Sequence, residues 1–368
     1  MKPRSERSCL WSFVSVLAAM TLVLAACGGE GGTDTTSSPG TTGQGGTEGP
    51  SETVSLDVLF PVNSPILHGY RVAQEAGYYA EEGLEVNMQF LGGGAEVSAQ
   101  LIAGNADVGI IPVGNVVTAL EEGQTDLRAI WNQVYGSIFY IATPAGSGIE
   151  SAEDLAGKKI GISDLSGGEV PIVRGIVDSV GLTEEDVELI PIGEGTALAV
   201  NAIETGQVDA VGGSVNDIIA LEVQGLDLTY IIPDALLQLP ASGAVVRQET
   251  LDNKGDAVAG FLRASTKGFY WAQVNPEASL AVLKKVTPEQ FTDETGDLIF
   301  EAVVALTWAP EGTSMGFQSP DTWGAFFDFV GAERPDVDLS VVVTDELIDE
   351  ANDFDPAAVE EDANNYTP

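Results

Sequence analysis

Two stretches of this chain, about 100 residues apart, follow the same pattern, and this internal repeat constrains the fold more than any other feature. The stretches are LIAGNADVGIIPVGNVVTALEEG, from Leu101, and AIETGQVDAVGGSVNDIIALEVQG, from Ala202. In each, a helix ends at a glycine and an aspartate follows three residues later. A short apolar strand, a glycine-containing turn, an asparagine and a second apolar helix come next. Two similar α/β units indicate two similar lobes.

Short apolar runs alternate with longer helical patterns along the rest of the body. This alternation predicts an α/β fold in which each lobe is a mostly parallel sheet flanked by helices. The predicted strands cover residues 54–60, 84–90, 108–111, 159–162, 187–190 and 208–211. The predicted helices cover residues 67–76, 95–103, 116–122, 171–180, 197–205 and 215–223.

The turns that follow the strands are the expected ligand site, because open parallel sheets bind ligands outside the carboxyl ends of their strands. Most of these turns lead directly into a helix, so free backbone N–H groups point toward the cleft. Asp107 and Asp209 begin their strands at the opposite end and are predicted to be structural. The six turns are residues 61–68, 92–97, 112–115, 164–170, 193–196 and 213–216. The candidate ligand contacts within them include Gly93, Gly94, Asn115, Ser166, Gly167, Gly168 and Asn216.

The first 26 residues predict export. Three basic residues (Lys2, Arg4 and Arg7) precede an apolar run at 10–26 that is short for a membrane span and ends in small residues. The sequence LAAC at 24–27 resembles the bacterial lipobox, in which the cysteine is lipidated. The alternative is a plain signal peptide cleaved after an Ala-x-Ala site, with Cys27 incidental.

The segment 27–52 is predicted to be a disordered tether that begins with the lipidated Cys27. It is nearly all Gly, Thr, Ser and Pro after the cysteine, so it buries too little apolar surface to fold. The expected location is the extracytoplasmic face of the cell membrane, held by the lipid anchor. The other cysteine, Cys9, lies inside the signal, so no disulfide is expected in the mature body.

The charge balance is strongly acidic. The chain has 56 Asp and Glu against 15 Lys and Arg, a formal net charge of −41. Nucleic acid is therefore not an expected partner, because affinity for it depends on clustered Lys and Arg. Such a surface is typical of an adaptation to solubility or high salt, and it also repels anionic solutes at low salt.

Four motifs between residues 54 and 305 occur together in one known family. They are a strand and Pro/Asn loop leading to GYYAEEGLEV at 77–86, GNADVG at 104–109, SAEDLAGKKIG at 151–161 and FLRASTKGFYWAQVNPE at 261–277. In this combination the chain resembles the solute-binding proteins of ABC importers for nitrate, taurine, alkanesulfonates and thiamine-pyrimidine precursors.

The resemblance implies a two-lobed, periplasmic-binding-protein-like fold with a ligand cleft between lobes that close by a hinge motion. It also implies an ABC permease as the membrane partner of a monomeric binding protein. The chain is expected to cross between lobes near 140–148 and 240–245. The expected boundaries are 53–142 and 241–345 for lobe 1, 143–240 for lobe 2, and 346–368 for an acidic C-terminal tail made of a surface helix and a loose end.

Asn63 and His68 favour a pyrimidine ligand, since the pyrimidine-precursor binders of this family carry an asparagine and a histidine in the loop after the first strand. The spacing here is wider than theirs, which leaves the assignment open, and His68 is equally consistent with an ordinary first-turn residue. Phe60, Trp131 and Tyr135 are candidates for stacking on a flat ring, or they fill the core.

Glu96, Glu169 and Glu194 lie in the cleft-facing turns, where they are expected to accept hydrogen bonds from ring amino groups. Alternatively they only favour the helix dipole. The six turns contain no Lys or Arg. An anionic ligand would need such a cation. A neutral or cationic heteroaromatic compound is thus favoured, with taurine, alkanesulfonate or nitrate as the alternative.

Catalysis is not expected. A related branch of this fold makes a thiamine pyrimidine from bound pyridoxal phosphate and needs a lysine in its first lobe, but this chain has none between Lys2 and Lys158. One histidine and no cysteine cluster argue against a metal site, and no nucleophile–base pair is evident. No cofactor is therefore predicted. A structural or adhesive surface lipoprotein would not need six glycine-containing turns around a cleft.

Overall fold

The computed structural model describes residues 53–193, 195–332 and 338–368. The expected export signal (1–26) and tether (27–52), with Cys27, lie outside the described residues. In the described part, ten strands form two five-stranded sheets, and helices flank both. The predicted α/β class and two-lobed architecture are confirmed; the lobe that holds each sheet is called the first and the second lobe in chain order.

The strands follow the apolar, β-branched runs of the sequence, where Val and Ile favour extended backbone. In chain order they are β1 (Val54–Phe60), β2 (Leu84–Phe90), β3 (Val108–Pro112), β4 (Leu127–Tyr135), β5 (Phe139–Pro144), β6 (Lys159–Ile162), β7 (Glu188–Pro191), β8 (Ala210–Ser214), β9 (Leu228–Ile231) and β10 (Pro240–Arg247).

Several helices begin where a side chain caps the first turn, as Ser214, Asn275 and Ser319 do. Among the described residues, no helix is both long and apolar enough to cross a bilayer. The helices are α1 (His68–Ala76), α2 (Tyr78–Glu81), α3 (Gly94–Ile102), α4 (Val113–Glu121), α5 (Val170–Asp178), α6 (Thr196–Glu204), α7 (Val215–Val223), α8 (Gln248–Val274), α9 (Pro276–Val286), α10 (Thr295–Val304), α11 (Pro320–Val330), α12 (Leu339–Val342), α13 (Ile348–Ala351) and α14 (Pro356–Asn365).

Both sheets have the same topology. The first has the order β2-β1-β3-β10-β4 and the second the order β7-β6-β8-β5-β9. β1 is parallel to β2 and β3, as β6 is to β7 and β8. In each sheet the fourth strand, β10 or β5, runs antiparallel to both of its neighbours. The sheets are therefore mostly parallel, as predicted, and the ends of their parallel strands face one common cleft.

The repeat in the sequence is a repeat in the structure. α3, β3 and α4 of the first lobe correspond at one constant spacing to α6, β8 and α7 of the second. Asp107 Oδ2 accepts a hydrogen bond from the N–H of Asp57 (3.0 Å), and Asp209 Oδ2 accepts one from the N–H of Lys159 (2.9 Å). Asp107 thus ties the start of β3 to the middle of β1, and Asp209 ties the start of β8 to the start of β6. The prediction that both are structural is confirmed.

The chain crosses between the sheets in two short segments. It leaves the first sheet after Tyr135 and enters the second at Phe139, and it returns between Ile231 and Pro240. The first crossing comes earlier than the expected 140–148, because β5 pairs with β8 and β9 along its whole length. The expected boundary at residue 142 is corrected accordingly.

Two helices that follow β10 contact both lobes, although 241–345 was expected to belong to lobe 1. α10 packs against α7 and also against the 3-10 turn Pro65–Leu67 of the first lobe. α11 packs against α5, where Gly175 lies so close to Phe329 that a Cβ at Gly175 would be 2.6 Å from the Phe329 carbonyl oxygen. These helices contact both lobes and join them in addition to the two chain crossings.

The expected loose tail is also corrected. Residues 346–368 contain α13 and α14, which pack on α8 and bury Ile348, Ala351, Val359 and Ala363. The Tyr78 hydroxyl donates to Asp362 (2.8 Å). The sequence of this region is acidic and poor in apolar residues, but its few apolar side chains share one face of each short helix.

The strand-start aspartates should contribute to stability and not to ligand binding. Asp107→Ala removes the acceptor for the Asp57 N–H and for Lys254 Nζ (2.8 Å). We expect the free energy of unfolding to fall by about 1–3 kcal/mol in denaturant melts, since hydrogen bonds to charged groups contribute about that much. The control is Asp256→Ala on the exposed face of α8, which should change it by less than about 0.5 kcal/mol. Equal effects from the two substitutions would contradict the structural role.

Candidate functional site

The site is a cleft of about 670 Å³ lined by loops from both sheets. The turns after β1, β2 and β3 form one wall, and those after β6, β7 and β8 form the other. All six strands are parallel within their sheets, so their carboxyl ends lie at one edge, where ligands of open α/β sheets bind. All six turns chosen from the sequence line the cleft, together with residues such as Gln133, Phe139 and Ser242.

Glycines allow the backbone to approach closely at the cleft edge. Gly93 and Gly195 immediately precede α3 and α6 with φ of 132° and 113°, a region that favours glycine. Gly94 lies so close to Asn115 that a Cβ would be 2.2 Å from Asn115 Oδ1. A Cβ on Gly168 would be 3.1 Å from Cζ of Phe139. A side chain at Gly94 or Gly168 would therefore collide with, or press on, a neighbouring residue of its own lobe.

Four carboxylates line the described part of the cleft. Three of them accept a hydrogen bond from a backbone N–H in the turn that precedes their helix: Glu96 from Gly92 (2.9 Å), Glu169 from Ser163 (2.8 Å) and Asp217 from Ser214 (2.9 Å). The same contact recurs in three of the six turns. Each carboxylate is therefore held in one orientation before any ligand arrives.

The fourth carboxylate is Asp164. The Ser166 hydroxyl, and then the Ser166 backbone N–H, donate to it and hold its pKa below the ordinary range. It remains ionised near neutral pH. Among the described lining residues there is no Lys or Arg; Arg174 pairs with Glu184, and Arg71 donates to Asn63 at the rim. The cleft is consequently a negative site that favours ligands carrying hydrogen-bond donors or positive charge.

Two neutral side chains complete the polar lining. Asn115 Oδ1 is buried and has no hydrogen-bond partner among the described residues. Such a buried acceptor is costly unless a ligand or water satisfies it. The Ser64 hydroxyl of the first lobe donates to Asn216 Oδ1 of the second (2.9 Å), so the two walls touch directly at this point.

The structure places ten of the sequence-predicted residues on the cleft wall. One of them, Asn63, is exposed at the rim, where it accepts from Arg71 (2.9 Å) and donates to Glu289 (3.3 Å). The Glu194 prediction lies outside the described residues. The ten are Asn63, Gly93, Gly94, Glu96, Asn115, Ser166, Gly167, Gly168, Glu169 and Asn216.

The stacking predictions for three aromatic residues are corrected, because all three belong to the interior of the first lobe. Phe60 ends β1 facing α1 and packs on Tyr70 and Phe90, with ring centroids 5.1 and 5.3 Å away. Trp131 is 1% exposed, and the backbone of Gly316 covers its indole. The hydroxyl of Tyr135 accepts from the Gly316 N–H (2.9 Å), and burial raises its pKa.

His68 is also corrected from ligand contact to core residue. As the first residue of α1 it points inward, between the rings of Phe269 and Phe300. Its Nε2 is 3.1 Å from Thr307 Oγ1. Desolvation by complete burial lowers its pKa from 6.5 to about 3, so the imidazole is neutral in the fold.

Residues that sequence reasoning missed include Phe139, Gln133 and Asp217. Phe139 is the one aromatic side chain among the described lining residues. It was overlooked because the chain was expected to cross to the second lobe only after this residue. The sequence repeat could have identified Asp217. At the constant spacing between corresponding elements of the two lobes, Asn115 corresponds to Asp217, one residue after the Asn216 that was chosen. Gln133 donates to the Ile66 carbonyl (2.9 Å), so its amide supports the first-lobe wall.

The fold is that of the periplasmic binding proteins. The solved structure of the alkanesulfonate-binding protein SsuA from Xanthomonas axonopodis pv. citri matches with a TM-score of 0.61. The match covers 82% of this chain and 98% of that one at 16% identity, which shows the fold alone.

The family model described as NMT1/THI5 like matches residues 64–279, and the chain belongs to that family. This confirms the resemblance carried by the sequence motifs. The formylaminopyrimidine-binding protein of Halalkalibacterium halodurans is 26% identical over 58% of this chain and 64% of its own length. The riboflavin-binding protein RibY of Chloroflexus aurantiacus is 25% identical over 76% of this chain and 81% of its own. The chain thus spans less than two thirds of the first of these relatives.

The buried histidine predicts a pH dependence of stability. Below about pH 6.5 the unfolded chain binds a proton at His68 that the folded chain does not bind until about pH 3. Stability from this residue is therefore complete above pH 6.5 and is lost as the pH falls toward 3. Between pH 7 and 5 the wild type should lose about 2 kcal/mol more unfolding free energy than His68→Gln. Denaturant melts at the two pH values give the readout. If the wild type and His68→Gln lose the same unfolding free energy between pH 7 and pH 5, His68 is not buried in its neutral form.

Proposed function

We propose that this chain is an extracytoplasmic solute-binding lipoprotein that captures a small heteroaromatic compound and delivers it to the membrane permease of an ABC importer. The observation that carries the proposal is the cleft at the strand ends of two repeated lobes, with Glu96, Asp164, Glu169 and Asp217 on its walls and no cation among its described lining residues. It works as a monomer and requires no cofactor.

The preferred ligand is a pyrimidine precursor of thiamine or a similar heteroaromatic compound. Amino and ring N–H groups of such compounds are donors that carboxylates held in place can accept, and charge-assisted hydrogen bonds are the stronger kind. Phe139 adds an aromatic ring to the second-lobe wall of the cleft. Relatives that bind formylaminopyrimidine and riboflavin support this class of ligand.

The alternative, taurine, an alkanesulfonate or nitrate, is disfavoured by electrostatics. Two like charges about 4 Å apart repel by about 4 kcal/mol near a protein surface. A sulfonate or nitrate group in this cleft would face several carboxylates without an opposing Lys or Arg among the described lining residues. The formal net charge of −41 adds a repulsion that is strongest at low salt.

Binding, rather than catalysis, is proposed for the same cleft. His68, the single histidine of the chain, lies in the core and is uncharged near neutral pH, so it is not placed to exchange protons with a ligand. The thiamine-pyrimidine synthesis reaction of the same fold would need a lysine in the first lobe. Between Lys2 and Lys158 the sequence offers none.

A ligand panel tests the proposal. Residues 50–368, which form one compact unit, should show a raised melting temperature with hydroxymethylpyrimidine, formylaminopyrimidine or riboflavin, and no change with taurine or nitrate. Ligand at 100 times its Kd adds about 2.7 kcal/mol to the stability. A rise with taurine or nitrate alone would overturn the proposed ligand class.

Glu169→Gln tests the role of the negative wall. The amide keeps an acceptor for Ser163 but removes the charge of a residue that is 5% exposed in the cleft. We expect affinity for the ring ligand to fall about tenfold or more, because one charge-assisted hydrogen bond contributes about 1.5–3 kcal/mol. The matched control is Glu153→Gln, an exposed glutamate of the same lobe that lies outside the cleft. Equal affinity in both variants would remove Glu169 from the site.

Cys27→Ser tests the proposed anchor. Lipidation requires the cysteine thiol, so the serine variant should leave the membrane fraction and appear in the soluble extracytoplasmic fraction, while retaining ligand binding. Cell fractionation with detection of the protein gives the readout. If the serine variant stays in the membrane fraction, the lipobox interpretation is wrong.

A further inference from the structure

The cleft is larger than a single small ring requires. Clefts of about 300–1,000 Å³ accommodate drug-sized molecules, and this one has a volume of about 670 Å³. Its lining differs in chemistry: Glu96, Asp164 and Asp217 are exposed at the rim, whereas the deep end formed by the second lobe is apolar. We call this deep end the inner chamber; it is lined by Ile192, Ala199, Val211, Val215, Ile218 and Leu221.

The inner chamber runs along one face of α7. Val215, Ile218 and Leu221 are spaced three residues apart, so they share a face that extends about 9 Å along the helix. Solvent hardly reaches them, since each is at most 5% exposed, yet all three line the cleft. The cleft therefore continues well past the first turn of α7 into the interior of the second lobe.

Space for the chamber exists because α6 buries little of its surface against the second sheet. Its counterpart in the first lobe, α3, buries Val97, Ser98 and Leu101. α6 buries Ala202 alone. Ala199, which corresponds to Val97 at the constant spacing of the lobes, lines the cleft instead of filling the gap.

The first lobe differs at the corresponding helix, although its buried Ile66, Leu67 and Ile110 also line the cleft. From α4, the counterpart of α7, Asn115 at the first turn is the residue that lines the cleft. Val116 and Ala119, which correspond to Ile218 and Leu221, are buried in the core of their own lobe. The asymmetry between otherwise repeated lobes points to a use for the chamber.

We infer that the inner chamber is a subsite for an apolar extension of the ligand, such as a fused or alkyl-substituted ring. The donor-bearing ring of the same molecule lies at the rim between Phe139 and the carboxylates. This inference rests on the proposed binding function and narrows its ligand to a two-part heteroaromatic compound. Burial of the extension should tighten binding about fourfold per CH₂ group.

The test uses N-phenyl-1-naphthylamine, a neutral dye that fluoresces in apolar surroundings, on residues 50–368. The wild type should bind one dye per chain with a blue-shifted emission. Ala199→Leu, which fills the chamber, should weaken dye binding about tenfold or more. Ala197→Leu is the matched control, since Ala197 is exposed on the same helix and should leave binding unchanged.

A gentler variant guards against misfolding. Ala199→Ser adds only a hydroxyl that must lose water on binding, and it should weaken the dye about threefold while circular dichroism stays that of the wild type. The inferred subsite would be contradicted if the wild type did not bind the dye, or if the wild type and all three variants bound it equally.

Competition separates this inference from the proposed function. Riboflavin, as the two-part probe, should displace the dye, whereas the single-ring hydroxymethylpyrimidine should raise the melting temperature without displacing it. Complete displacement by the single ring would overturn the division into two parts. A third outcome is that neither compound binds, but the dye binds the wild type and binds the two Ala199 variants more weakly. The chamber is then supported, and the proposed ligand class is wrong.

Discussion

The reciprocal strand exchange between the lobes is the constraint on which the rest of the structure depends. β4, at the edge of the first sheet, leads into β5 inside the second, and β9, at the edge of the second, leads into β10 inside the first. β5 and β10 are hydrogen-bonded on both sides, so each lobe holds the strand that arrives from the other. The chain passes between the sheets through the short links after Tyr135 and Ile231. The parallel strands of both sheets can then face each other across one cleft.

The chemistry of the cleft follows from this arrangement. Turns at the ends of parallel strands lead into helices, and the recurring carboxylate contacts fix Glu96, Glu169 and Asp217 while satisfying backbone N–H groups. The same contacts that build the turns leave a negative, preorganised wall. A ligand that supplies donors is favoured there, because the orientation of the acceptors costs no further entropy on binding.

The sequence predicted the strands and helices of this protein better than it predicted the packing of their side chains. β1, β2, β6 and α7 have the bounds expected from apolar periodicity, because local patterning decides them. Phe60, His68 and Trp131 were misassigned because the direction of a side chain at a strand end or helix start depends on which helices pack there. For His68 those are α8 and α10, which lie far along the chain. Helices α10 and α11 bridge the lobes through contacts that no local pattern encodes.

The central claim is that one ligand contacts both lobes through the turns at their strand ends. Amide hydrogen exchange on residues 50–368, with and without the ring compound that raises the melting temperature, tests it most directly. Protection should appear together in the turns around Gly92, Ser163 and Ser214, while the opposite strand ends around Asp107 and Asp209 stay unchanged. Protection limited to one lobe, or absent from all of these turns, would contradict a cleft that binds its ligand between the two sheets.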